Sequence, residues 1–326
     1  ITYCMAPIVA TQPSWFYVMV VVTVLLLTEL KHTFTEFAQR MKNDEMITLA
    51  KFLAISGIIL PMLPHKNLIP DINLTPYSIW LATVVVSGIS YLSYLLKRYV
   101  FHESGTLVSG IIGGLYSSTA TISVLARKSR KASEQEATDY VAAMLLAVSM
   151  MFLRFMILIL IFSREIFLSI YPYLLTMAVV AAIVAWFIHS RQKRPEDQPA
   201  ETEEDDSSNP LEFKVALIFA VLFVIFTIVT HYTLIYTGTG GLNVLSFIAG
   251  LSDITPFILN LLQGSGVAVV VVTACCMQAI VSNIAVNMCY ALFFAGGKSP
   301  LRRWVLRGFG GVIAVNVCLL LFFYLL

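Results

Sequence analysis

Two charged residues lie inside long apolar stretches and are the first candidates for chemistry. Asp253 stands in GLSDITP, between Gly250 and Pro256, and Arg154 lies within MMFLRFMILILIF. An ionisable group at membrane depth is costly and commonly marks a functional site. We therefore predict that Asp253 binds a solute or ion and that Arg154 is its interior partner. Two plainer interpretations compete: Asp253 only caps a helix, and Arg154 only binds backbone carbonyls.

Hydroxyl and amide side chains accompany these charges. Hydroxyls break one apolar segment at 117–121, and two amides lie one helical turn apart at 283 and 287. Hydroxyls and freed carbonyls can coordinate a cation, and exposed N–H groups at a half-helix start can hold an anion. They can equally bind their own helix carbonyls or link helices. The candidate residues for solute or ion binding are Ser117, Ser118, Thr119, Thr121, Arg154, Asp253, Thr255, Asn283 and Asn287.

Motifs for enzymes and cofactors are missing from the sequence. There is no H-E-x-x-H for intramembrane metalloproteolysis, and the histidines lack the spacing of a helical metal pair. Asp139 lies at a predicted helix start, so Asp253 has no second carboxylate at depth for an aspartyl dyad. The five cysteines show no paired spacing for zinc or disulfides. We expect no enzymatic activity and no cofactor, and the sequence leaves a metal open.

The composition sets the class of protein that must position these residues. Hydrophobic residues make up 58% of the 326 residues, charged residues make up 12%, and the mean hydropathy is +0.83. A soluble domain could not keep such a surface in water, so the chain is predicted to be a polytopic membrane protein. The net charge of +2 is too small for a nucleic-acid footprint, which excludes that class of partner.

Two apolar segments, 105–126 and 241–262, are interrupted by small and polar residues and resemble each other. At one constant offset, Gly105, Val108, Ile112, Gly114, Leu115, Thr119, Ile122 and Leu125 fall on Gly241, Val244, Ile248, Gly250, Leu251, Thr255, Ile258 and Leu261. The helices that follow also pair, with Met144, Val148 and Ser149 on Met277, Val281 and Ser282.

This internal similarity predicts four regions. They are N-terminal helices at 1–74, a first membrane repeat at 75–190, an acidic linker at 191–210 and a second membrane repeat at 211–326. The linker is charged and contains proline, so it cannot bury a core. Two helix starts support the segmentation, namely Thr75 before Pro76, and Ser133 with Glu136 as a capping box.

The basic residues predict how the segments cross the membrane. Lys and Arg cluster at 31–51, 97–98, 127–131, 191–194 and 298–307. The positive-inside rule places all these clusters in the cytoplasm, which is inconsistent with full crossings by both Gly-rich segments. The conflict disappears if both are re-entrant. We therefore predict an all-α, polytopic helical bundle with an inverted repeat, each repeat having three spanning helices and one broken or re-entrant segment. The alternative is that both segments are ordinary kinked helices.

Several of these stretches also resemble a known family. GGLYSSTATISVLARKSR is similar to a signature of the MgtC/SapB-related bacterial membrane proteins, in the branch with a C-terminal membrane domain of unknown function. MKNDEMITLAKFLAISGIILPMLP, NPLEFKVALIFAVLF and AGLSDI support the resemblance, which covers nearly the whole chain. It implies a multi-pass protein of the bacterial inner membrane, in which 1–74 is the end of an MgtC-like region. It does not supply a substrate.

The interrupted repeats favour a transporter or permease for a small ion, for which a cation is one candidate, or for a polar solute. The predicted site lies at mid-membrane between the two broken segments. A non-transporting regulator acting through partner helices and an ion channel are the alternatives. The expected partners are the lipid bilayer, the solute and, left open by the sequence, a second copy of the chain.

Overall fold

The computed structural model describes residues 43–69, 72–100, 105–130, 134–190, 213–263, 266–296 and 299–325, together with residues 21, 22 and 25. The chain divides into two units, 1–53 and 54–326. Much of the predicted N-terminal region, the whole linker 191–210 and the predicted cap at Ser133 lie outside the described residues.

Helices account for nearly all of the described residues, and no strand occurs among them beyond a single bridge between Ile69 and Ile72. The helices are α1 (Asn43–Ala54), α2 (Leu60–Met62), α3 (Pro76–Leu95), α4 (Thr106–Lys128), α5 (Glu134–Phe162), α6 (Arg164–Ser190), α7 (Phe213–Ala249), α8 (Ile254–Leu262), α9 (Val269–Ala295) and α10 (Ser299–Leu325). π-helical turns at Ile55–Ile59 and Leu96–Val100 follow α1 and α3. In the first unit, the described residues belong mainly to α1.

The start of α3 confirms the predicted helix cap. The Thr75 hydroxyl accepts from the Ser78 amide at 3.0 Å, and the Ser78 hydroxyl accepts from the Thr75 amide at 3.1 Å. Pro76 occupies the first turn, where its missing N–H costs nothing. This helix therefore begins where the sequence predicts.

Length and apolar character make eight helices of the described residues candidate membrane spans. Their outward faces carry large apolar side chains, such as Trp186 and Phe322, which are 68% and 59% exposed. Such faces suit lipid and would be costly in water. By contrast, 67% of the apolar stretch of α9 is buried inside the protein. The chain is thus an all-α polytopic protein, and α9 lies near the centre of its second unit.

One of these candidates, α4, folds back on itself instead of crossing. Ser117 has an extended backbone (φ −158°, ψ 109°) inside the helix. A methyl group on Gly113 would overlap the side chain of Thr121, although residues eight apart in a straight helix are separated by about 12 Å. The arms 106–116 and 118–128 therefore lie side by side. We call them hairpin 1, with its tip at Ser117.

A second hairpin follows the crossing part of α7. Gly238 has a left-handed backbone (φ 65°, ψ −154°), and Gly241 returns to the side chain of Thr233. The arm 239–249 thus runs back alongside 213–237, and the chain turns again at 250–253 before α8. We call 239–262 hairpin 2, with its tip at 250–253.

The second arm of hairpin 2 returns towards the membrane face from which the first arm enters. Phe257 packs against Phe226 with ring centroids 5.6 Å apart, and Asn260 donates to the Thr230 hydroxyl at 2.9 Å. Partners on α7 therefore advance with position on α8, so α8 is parallel to 213–237. Hairpin 2 therefore opens at the end of the crossing segment 213–237, next to Gly238.

The hairpins open towards opposite ends of α9. At the end of hairpin 1, the Arg127 guanidinium lies 4.5 Å from the ring centre of Phe294, near the C-terminus of α9. In hairpin 2, Asn243 on the entering arm accepts a long hydrogen bond from Cys275, near the N-terminus of α9. Because one helix has its two ends at opposite faces, the hairpins enter from opposite faces. This arrangement confirms the predicted inverted repeat.

The remaining helices complete each repeat. His189 near the end of α6 lies 2.7 Å from Asp139 near the start of α5, so these helices are antiparallel. In the described part of the second unit, six helical segments then cross the bundle: α3, α5 and α6 in the first repeat, and 213–237, α9 and α10 in the second. The face where hairpin 1 opens also holds the basic start of α10, with Arg302 and Arg303 exposed. We call it the basic face.

Candidate functional site

The interruption at Ser117 leaves the backbone carbonyl of Tyr116 without its helical donor, and the Arg154 side chain donates to that carbonyl instead. In an unbroken helix the Tyr116 carbonyl would accept from the amide of Ala120. Here that amide donates to the Ser117 hydroxyl at 3.3 Å, and Nη1 of Arg154 donates to the Tyr116 carbonyl at 2.8 Å. Arg154 on α5 therefore holds the tip of hairpin 1.

The tip of hairpin 2 is held in the same manner by Asn283 on α9. Its Nδ2 lies 3.3 Å from the Gly250 carbonyl and 3.4 Å from the Ser252 carbonyl. Asn287, one turn further on, donates to Oδ1 of Asn283 at 3.1 Å. Both amides are buried, so the second tip is held by neutral side chains where the first is held by a cation.

The two tips are related by the repeat seen in the sequence. The offset that aligns Gly114 with Gly250 also places Ser117 on Asp253. Both residues cap the returning half-helix: Ser117 accepts from Ala120, and Asp253 accepts from the Thr255 amide at 3.0 Å. The plainer interpretation of Asp253 as a helix cap is therefore correct as far as the local geometry goes. Its charge is still more than a cap requires, since the neutral Ser117 caps the other tip.

Packing brings the two tips into one region. Hairpin 2 packs through α8 against α5, which carries Arg154, and hairpin 1 packs against α9, which carries Asn283. The Asp253 carboxylate acts electrostatically on Arg154, although the two side chains form no direct ion pair. We call the group formed by the two tips with Arg154, Asn283 and Asn287 the polar cluster.

Close backbone packing supports both tips at equivalent glycines. A methyl group on Gly114 would overlap the backbone of Ala147 on α5. One on Gly250 would overlap Ser282 and the carbonyl of Ala279 on α9. Small residues let helices approach closely within a membrane. The Gly-Leu pair shared by the two segments thus marks the point where each hairpin lies against its supporting helix.

The remaining predicted residues take different places around the tips. Ser118 and Thr255 are buried, one residue after the cap Ser117 and two residues after the cap Asp253. Thr121 packs between the arms of hairpin 1, and the backbone carbonyl of Thr119 accepts from Ser123. Arg154 was predicted to pair with Asp253, whereas its direct partner is a backbone carbonyl. The role of these residues in binding stays a prediction.

Other intramembrane amides form contacts that the sequence reasoning missed. Asn260 on hairpin 2 donates to Thr230 on the crossing segment 213–237. Gln278 on α9 donates to Tyr324, and Tyr173 donates to Asn316 at 2.6 Å. A signal was present in each case, because an amide within an apolar stretch needs a partner. These pairs lie outside the polar cluster and link helices to one another.

Potential metal ligands do not assemble in the described part of the chain, where no three His, Cys, Asp or Glu residues come together to hold an ion. Four cysteines within it are free; Cys275 and Cys276 are buried, and Cys289 and Cys318 are exposed.

The all-helical bundle, with two inverted repeats and two hairpins that enter from opposite faces, places this chain among the polytopic membrane proteins. The chain belongs to the family Domain of unknown function (DUF4010), which matches residues 84–295 and so includes both hairpins. An uncharacterized protein of Aquifex aeolicus (strain VF5) is 25% identical over 205 residues, which cover 61% of this chain and 86% of that protein. No solved structure matches the present chain significantly.

This family assignment is less specific than the resemblance to the MgtC/SapB-related proteins that the sequence suggested. The match supports a membrane domain of unknown function, and no MgtC/SapB family is among the matches. The relation of 1–74 to an MgtC-like region therefore stays a prediction.

Proposed function

We propose that this protein is a secondary transporter for a small ion or polar solute, with the polar cluster as its binding site. The observation that carries the proposal is the meeting of two oppositely entering hairpins at charged and unsatisfied polar groups. Discontinuous helices at mid-membrane provide binding groups without side chains having to supply all of them. The proposal includes no enzymatic step.

The geometry suits alternating access. Each hairpin reaches the polar cluster from one face only, so opening one hairpin would expose the site to that face while the other still closes it. Each tip is held to its supporting helix by few hydrogen bonds, from Arg154 on one side and Asn283 on the other. Breaking so few contacts is a small cost for a gating motion.

The proposed orientation places the basic face in the cytoplasm, by the positive-inside rule. Arg127, Arg130, Arg302 and Arg303 all lie at that face. Because the similar protein is bacterial, we propose the bacterial inner membrane as the location. Because its motifs resemble those of the MgtC/SapB-related proteins, we also propose that the chain is related to them. In that case residues 1–74 are the end of an MgtC-like region.

Flux through proteoliposomes tests the proposal. The full chain is reconstituted and screened for saturable uptake of ions and small polar solutes. Asn283→Ala and Asp253→Asn should reduce the flux strongly, because each alters a tip. Gln278→Ala is the matched control, since Gln278 is equally buried on the same helix but binds Tyr324 outside the polar cluster.

Three outcomes would contradict the proposal, either in its site or in its function. Unchanged flux in folded tip variants would remove the polar cluster as the site. Non-saturable conductance through a continuous open pore would identify a channel. Absence of flux for every solute, together with capture of a partner membrane protein that depends on lipid-facing residues, would identify a regulator.

A further inference from the structure

The charges of the polar cluster are divided between the repeats. In the first repeat the cap is neutral Ser117 and the supporting helix carries Arg154. In the second repeat the cap is anionic Asp253, and the alignment that pairs Met144 with Met277 places neutral Asn287 opposite Arg154. Each repeat therefore contributes one charge, of opposite sign and from a different position. A merely structural repeat would need neither charge, because each position is filled by a neutral residue in the other copy.

Both charged side chains have unused binding capacity. A guanidinium has five N–H donors, and Arg154 makes one hydrogen bond, to Tyr116, while its Nε is buried without a partner. Asp253 uses Oδ1 for the Thr255 amide, and its side chain is exposed. Asn287, fully buried, has an Oδ1 without a donor. The cluster therefore holds an open donor and open acceptors together.

Asp253 is exposed at the tip of hairpin 2, so it is accessible to water or solute. An exposed carboxylate at membrane depth would be very costly against hydrocarbon, so the space in front of it must admit water or solute. Arg154 is close enough to Asp253 for an electrostatic interaction but forms no ion pair with it. The space between these two side chains is therefore the place where we expect a solute to bind.

Simple cations and simple anions fit this arrangement poorly. The carbonyls of Tyr116, Gly250 and Ser252, which could coordinate a cation, already accept from Arg154 or Asn283. An anion at Arg154 would lie close to the carboxylate of Asp253. Either ion would also add net charge to a cluster whose two charges already cancel, which is unfavourable in a low-dielectric interior.

We propose, on the basis of the transporter function above, that the substrate is a small zwitterion of the amino-acid or betaine type. Its carboxylate binds the open N–H groups of Arg154, for which the planar guanidinium is well suited. Its cationic group lies towards Asp253. Such a solute satisfies both charges at once and brings no net charge into the membrane.

Uptake by proteoliposomes containing the full chain tests this substrate class. The panel consists of glycine, alanine, β-alanine and glycine betaine, with acetate, propionate, ethylamine, sodium and chloride as matched solutes that lack one or both charges. Saturable uptake should be confined to zwitterions. Asp253→Asn should shift the preference from a zwitterion towards its matched acid by at least about tenfold, because the cationic group loses its partner.

Variants at the other charge complete the test. Arg154→Gln should abolish uptake of zwitterions, and Arg154→Lys should restore part of it, because a charge returns without the planar fork. Size-exclusion profiles and helical content of each variant show whether it folds. Should Arg154→Gln fail to fold, Arg154→Lys and Asp253→Asn still decide the question through their selectivity.

Failure of this inference differs from failure of the transporter function. Saturable uptake of acids, amines or inorganic ions in preference to zwitterions would overturn the substrate class and leave the transporter intact. A selectivity that is the same in wild type and Asp253→Asn would also overturn it. No saturable uptake of any solute by the folded wild type would overturn both.

Discussion

Arg154 and Asn283 perform the same task at two sites: each donates to carbonyls that an interrupted helix leaves unpaired. At one tip the donor is a cation, and at the other it is an amide. Asp253 and Ser117 likewise perform one task, that of a helix cap, with and without charge. The charges exceed what the structure requires, and this excess is the reason for proposing that they bind a solute.

Substitution of Asp253 separates its two roles. Asn caps a helix about as well as Asp, so Asp253→Asn should leave thermal stability in detergent nearly unchanged, while Asp253→Ala should lower it by about 1 kcal/mol. Flux should fall in both variants. If flux follows stability, so that Asp253→Asn transports like wild type, Asp253 is only a cap.

Removal of the Asn283 amide should destabilise the protein. Asn283→Ala leaves two carbonyls without their donor in a buried place, at a cost of about 1–3 kcal/mol. The exposed Cys289 on the same helix provides the control, since Cys289→Ala should change little. Thermal unfolding in detergent measures both. Equal stability of the two variants would show that Asn283 does not hold the tip.

The sequence singled out Arg154 and Asp253 as candidates but did not predict the groups that they contact. Their charges stood out because a charge within an apolar stretch is costly wherever its partner is. The binding of Arg154 to the Tyr116 carbonyl depends on where the helix breaks. That position follows from packing of the whole hairpin, and no single residue near Ser117 specifies it.

At the level of elements, the hairpins depend on glycines that let a tip lie against its supporting helix. Gly114 lies against the backbone of α5, and Gly250 lies against the backbone of α9. By contrast, a Cβ atom added to Gly240, in the same hairpin as Gly250, would meet open space. The shared Gly-Leu pair therefore reflects a packing requirement. The turn at Gly238 was not predicted, because many glycines near it could supply a left-handed conformation.

Alanine substitutions distinguish these glycines. Gly250→Ala forces its methyl group into Ser282 and the Ala279 carbonyl, and should destabilise the protein by about 1–3 kcal/mol. Gly240→Ala should be neutral or slightly stabilising, since Ala is the better helix former. Melting temperatures of the purified proteins provide the comparison. A stable Gly250→Ala with a less stable Gly240→Ala would contradict the packing described for hairpin 2.

At the level of the whole molecule, the inverted repeat was predictable from the sequence because two independent signals agreed. Similarity of 105–126 to 241–262 indicated a repeat, and the basic clusters indicated that neither segment crosses. Length and apolar character alone would have misled, because α4 is long and apolar enough to span. Its return at Ser117 depends on contacts between the arms, which no local property of the sequence specifies.

The most direct test of this architecture is labelling of single cysteines by a membrane-impermeant maleimide, in a folded background without native cysteines. Exposed positions lie at the open end of each hairpin: Gly105 and Arg130 for hairpin 1, and Thr239 and Ala268 for hairpin 2. Cysteines at 105 and 130 should be labelled only from the cytoplasm, and those at 239 and 268 only from the opposite side. Labelling of 105 and 130 from opposite sides, or of all four from one side, would contradict the opposed hairpins.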